Sequence, residues 1–115
     1  MNRLEVAIHF DNLETNLPDA NVHIYIEDIS EAGAPSKTLS ENHLYHVSVE
    51  SDPAIFHASV DFPPSAPDAD LSLRVHVDVN GDGDLTPGDY LTTSIHSLKR
   101  LAAKPAQQDV LVSRI

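Results

Sequence analysis

The sequence predicts an all-β protein, a single antiparallel β-sandwich domain of about seven strands across residues 1–115. Three observations predict it. Apolar and polar residues alternate with period two along most of the chain, as in strands with one buried and one wet face. Clusters of Pro, Gly, Asn and Asp separate the alternating runs. The chain is 41% hydrophobic but has no Trp and only three Phe and three Tyr, so its core must be mainly Val, Leu and Ile.

The runs follow in order. Leu4, Val6, Ile8 and Phe10 alternate with Glu5, Ala7 and His9, and Asn16-Leu17-Pro18-Asp19 breaks this first strand. Val22, Ile24 and Ile26 form a second set against His23, Tyr25 and Glu27. Residues 28–37 read as a loop, with Thr38 and Leu39 resuming extended structure. Tyr45, Val47 and Val49 are a third set, ended at Asp52-Pro53, and Phe56, Ala58, Val60 and Phe62 a fourth. After the rigid Pro63–Asp68 connection, Leu71, Leu73, Val75, Val77 and Val79 alternate with Ser72, Arg74, His76 and Asp78. Tyr90–Ile95, rich in β-branched residues, reads as a sixth strand, and Asp109–Ser113 as the last. Leu98–Lys104, closed by Pro105, is the one helical candidate, marginal at about two turns.

Between the fifth and sixth strands lies the segment that points to chemistry. Asp78-Val79-Asn80-Gly81-Asp82-Gly83-Asp84-Leu85-Thr86-Pro87-Gly88-Asp89 has the spacing of a twelve-residue EF-hand-type loop. Asp78, Asn80, Asp82, Asp84, Thr86 and Asp89 occupy the first, third, fifth, seventh, ninth and twelfth positions, with Gly83 at the sharp turn. Hard Ca²⁺ takes several such oxygens, so these six are the expected metal residues and Ca²⁺ the expected ion. The twelfth residue is Asp rather than Glu, one methylene shorter, which weakens bidentate reach. The flanks are strands and not helices. Asn-Gly and Asp-Gly also make plain hairpin turns without any metal. Four crowded carboxylates favour the ion, because they repel one another without a cation.

The remaining chemistry is mostly excluded. A net charge of −11 repels nucleic acid and anionic lipid. The absence of cysteine excludes disulfides, thiolate metal sites, a cysteine nucleophile and a lipid-bearing cysteine. No apolar run nears the roughly 18 residues of a spanning helix, so no membrane insertion is expected. The start, Met1–Val6, has no apolar signal segment, which reads as cytoplasmic, or as periplasmic if an upstream export segment has been removed. There is no Gly-x-Ser-x-Gly elbow, P-loop or dinucleotide fingerprint, so no catalytic residues are expected. Seven histidines raise the question of zinc. His43 and His46 face opposite sides of a straight strand, while His57 and His76 could approach across a sheet. Surface histidines are the expectation.

The segment Asp28-Ile29-Ser30-Glu31-Ala32-Gly33-Ala34-Pro35-Ser36-Lys37-Thr38-Leu39 resembles the YbaY/YscW-type lipoprotein family, whose members carry a similar Asp-x-Ser-x-Ala-x-Ala-Pro motif. The Leu17-Pro18-Asp19-Ala20 turn, the Phe62-Pro63 turn, the Leu73-Arg74-Val75 strand and Thr92-Thr93 follow in a similar order. The resemblance implies a small β-sandwich. It also implies kinship with pilotins, chaperones that escort a secretin ring protein to the outer membrane. The full ion loop is not part of that family pattern. Two readings of function result. One is a non-catalytic binding module with a calcium loop at 78–89 that recognises a protein partner. The other is a pilotin-like escort that binds a peptide by strand addition, with no metal role. Either would work as a monomer or weak dimer.

Overall fold

The fold comes from a computed structural model that describes residues 2–29, 33, 37–62, 71–92, 96–98 and 106–115. It is all-β. The strands are β1 (Asn2–Phe10), β2 (Leu17–Asp28), β3 (Lys37–Val49), β4 (Ile55–Phe62), β5 (Leu71–Asp78), β6 (Tyr90–Thr92), β7 (His96–Leu98) and β8 (Ala106–Arg114). They form one sheet in the order β3-β2-β5-β6-β8-β1-β4, with β7 joined to β5 beside that path. The sheet curls into a nearly closed, barrel-like sandwich.

Two details depart from the expected antiparallel pattern. All pairs are antiparallel except β1 and β8, which run parallel from Leu4 opposite Ala106 to Phe10 opposite Val112. Period-two alternation is blind to strand direction, so sequence could not reveal this. The helical candidate begins at Leu98, which lies in β7, and the rest of it falls outside the described residues.

The alternating positions build the core as expected. Leu4 and Ile8 of β1, Val22, Ile24 and Ile26 of β2, Val75 and Val77 of β5, and Val112 of β8 are each 0% exposed. Each such side chain stabilises by about 1.5–3 kcal/mol relative to exposure. β5 is buried on both faces: Ser72, His76 and Asp78 on its polar side are buried with its apolar residues, and only Arg74 is exposed. Arg74 reaches Glu27 at 3.2 Å and stacks over the Tyr25 ring at 4.3 Å.

β3 corrects the third alternating set. Val47 and Val49 are buried, but Tyr45 is 61% exposed. The cause is a bulge: Ala20 pairs Val47 and Val22 pairs Leu44, so β3 carries one extra residue there. His46, in the bulge, has φ +57°. An inserted residue reverses the facing of everything beyond it.

The sheet ends at β3 and β4, each paired on one side only among the described residues. The short Glu50–Ala54 connection joins them at one end. At the other, Ser40 Oγ donates to the Asp61 carbonyl at 2.7 Å. Between these two ties lies an unpaired seam. Leu39 and Leu44 on β3, and Ala54 and Phe56 at β4, pack against the core while only partly buried.

Candidate functional site

The loop closes around two buried carboxylates at its ends. Asp78, 0% exposed, ends β5, and Asp89, 1% exposed, precedes β6. Asp78 accepts from the Gly81 amide at 3.0 Å and the Gly83 amide at 2.8 Å. Asp89 accepts from the Val79 amide at 3.0 Å, the Thr86 amide at 3.2 Å and His76 Nε2 at 3.0 Å. Burial disfavours charge on Asp89, but the hydrogen bonds from His76, Val79 and Thr86 outweigh it and hold the carboxyl below its ordinary range.

Five of the six expected ligand residues come together. One carboxylate oxygen from each of Asp78, Asp82 and Asp89 lies within 4.8 Å of the others. Asn80 Nδ2 donates to Thr86 Oγ1 at 3.1 Å, and Thr86 Oγ1 donates to Asp82 Oδ2 at 3.2 Å. Asp84 is the exception. It is exposed, and its bond in the loop is from its own amide to Asp82 Oδ1 at 3.0 Å. The seventh place of such a loop supplies a backbone carbonyl, so an outward side chain fits the spacing.

Gly83 turns as its position requires, with φ +80°. A Cβ there would meet nothing within 4 Å, so the demand is purely conformational. Gly83→Ala should therefore lower stability by about 1–2 kcal/mol, the cost of holding an L-residue left-handed. Urea unfolding measures it. The base of the loop is braced by the chain end: the Gly88 amide donates to the Ile115 carbonyl at 2.9 Å, and the Ile115 amide to the Asp89 carbonyl at 3.0 Å.

Sequence reasoning missed the residues behind the loop. His76 grips Asp89 from thirteen positions away, and it belongs to a row of imidazoles across three strands. His23 of β2 lies opposite His43 of β3 and His76 of β5. The Nδ1 atoms of His23 and His43 are 2.6 Å apart, and the His23 and His76 ring centres 5.5 Å. Burial lowers the His23 pKa, His43 and His76 lower it further, and Asp78 partly opposes them. The signal was partly present in the alternation, since His23 and His76 occupy the polar positions of their strands, but His43 shares the parity of Tyr45 and Val47 and reaches the row only through the bulge. Of the histidines expected near His43, His76 joins this row through His23, whereas His46 and His57 do not. His46 hydrogen-bonds Asp19 at 3.0 Å, and His57 is exposed on β4.

An open cleft of about 190 Å³ beside the loop is lined by Asp19, Ala20, Asn21, His46, Val79, Asn80 and Gly81. It is below the roughly 300–1,000 Å³ of small-molecule sites. Among the described residues no helix is long and apolar enough to cross a membrane.

No protein-family model matches the chain, and no curated protein does. A solved structure does match: an alternative pilotin from the type II secretion system of Vibrio cholerae, with a TM-score of 0.70. The alignment covers 99% of this chain and 96% of that one at 18% identity. Likeness at that level is one of fold, so the architecture is pilotin-like.

Proposed function

We propose that this protein is a non-catalytic module that holds an extended apolar segment of a protein partner along the β3–β4 seam. The observation that carries this reading is the seam itself. Two sheet edges lie side by side with Leu39, Leu44, Ala54 and Phe56 only partly covered. An edge offers unpaired backbone groups for strand addition, and half-covered apolar side chains offer pockets for alternate residues of the added strand. The pilotin-like fold and the resemblance to YbaY/YscW-type lipoproteins support an escort role. The test is co-purification from the native host. Leu39→Lys with Leu44→Lys should lose a partner that Asp78→Ala with Asp82→Ala retains. Loss in the loop variant, with retention in the seam variant, moves the site to the loop.

A second reading concerns the loop. The convergence of Asp78, Asp82 and Asp89 supports Ca²⁺ binding, with Asn80 Oδ1 and Thr86 Oγ1 as the further oxygens of the loop. Asp89 is already committed to three donors, which argues for modest affinity. An ion that binds only the native state should add about 2.7 kcal/mol of stability at a hundredfold excess over its dissociation constant. Calorimetric titration of metal-stripped protein checks this. No heat and an unchanged melting temperature in millimolar Ca²⁺ would sink it. The strand signal in circular dichroism should persist in chelator, because the core lies outside the loop.

A further inference from the structure

We propose that His23 and His43 form a site for a borderline transition-metal dication of the Zn²⁺, Ni²⁺ or Cu²⁺ class, separate from the acidic loop. The two rings sit directly opposite each other on β2 and β3. Their Nδ1 atoms converge to 2.6 Å, closer than the usual 2.7–3.2 Å range for an N–H donor to oxygen. Two ring nitrogens aimed at one point can share one proton or one ion. With metal–nitrogen bonds of about 2.0–2.1 Å at a tetrahedral angle, the nitrogens would stand about 3.3 Å apart, so the rings need part by less than about 1 Å.

The surroundings favour the ion. Tyr45 stacks on His43 at 6.4 Å between ring centres and meets His23 edge-on at 6.2 Å, while Tyr25 meets His43 edge-on at 6.0 Å. These rings limit the rotamers of the pair, so less order must be gained on binding. His43 is exposed and His23 half-buried, which leaves solvent access and room for water in the remaining coordination positions. The charge of Asp78 acts on His23, and a dication there gains from it. Imidazole nitrogen selects these metals, whereas hard Ca²⁺ prefers the oxygens of the loop.

The neighbouring His76 lies in the row without joining the pair. Its Nε2 is held by Asp89 Oδ2 at 3.0 Å, which ties the ring to the loop. Its ring centre is 5.5 Å from that of His23, close enough to shape the site.

Zinc titration of the full chain in millimolar Ca²⁺ tests the proposal, read by long-range ¹H–¹⁵N spectra of the imidazoles. The Nδ1 signals of His23 and His43 should move together and saturate at one equivalent. Losing an outer-shell partner costs roughly 10–100-fold in metal affinity, so His23→Ala or His43→Ala, each losing a ligand, should weaken binding at least tenfold by calorimetry. His57→Ala should leave it unchanged. His43 is exposed, so its replacement should keep the melting temperature, and the spectra of the unaltered protein need no variant at all. Absence of zinc binding, shifts confined to other histidines, or parent-like affinity in either ligand variant would overturn the proposal.

Discussion

Val75→Asp should abolish the cooperative native state. Val75 is 0% exposed in β5, which pairs with β2 along its length and with β6 and β7 on its other side. A carboxylate there would sit in the hydrophobic core, and its desolvation cost exceeds several kcal/mol. The net stability of a domain this size is only about 5–15 kcal/mol. Urea unfolding should show no folded baseline, whereas Asp84→Asn, at an exposed carboxylate, should match the parent protein. A cooperative Val75→Asp transition near the parent midpoint would refute this account of the core.

Asp89→Ala should be the most damaging change in the loop. It strips the acceptor from His76, Val79 and Thr86 at once. Buried donors left unpaired cost roughly 1–3 kcal/mol each, so a loss of about 3 kcal/mol is expected. The same residue leaves a mark on pH dependence. Its folded-state pKa lies below the ordinary 3.8, so the unfolded chain binds the proton more readily. The stabilisation is complete above that ordinary value and is lost as pH falls through the lower folded-state value. The parent protein should therefore lose stability on acidification in that window, and Asp89→Ala should lose less of it. Denaturant midpoints between pH 5 and pH 2 decide the matter, and parallel pH profiles would count against the assignment.

Much of this molecule was legible in its residues. The alternations at Leu4–Phe10, Val22–Ile26 and Leu71–Val77 became β1, β2 and β5 because each apolar position has a core to meet. The spacing of Asp78, Asp82 and Asp89 anticipated their meeting, since a twelve-residue loop leaves few ways to close. Legibility failed where non-local geometry decides. The bulge at His46 displaced Tyr45 from the inner face, and no local signal marks a single inserted residue. The row of His43, His23 and His76 depends on the register of three strands brought together from distant parts of the chain. The seam is also invisible in sequence, because it is defined by the pairing that β3 and β4 lack.

The parallel pairing of the first and last strands also sets the timing of folding. β8 lies between β6 and β1, so a strand completed only at residue 114 occupies an interior place in the sheet. During synthesis β1 must wait with one flank bare until β8 has been made, about a hundred residues later. Contacts spanning about a hundred residues cost loop-closure entropy before they repay it, which slows folding relative to local hairpins. A nascent chain halted before residue 106 would therefore carry two raw interior edges, at β1 and at β6, and would be far more prone to aggregate than the finished protein.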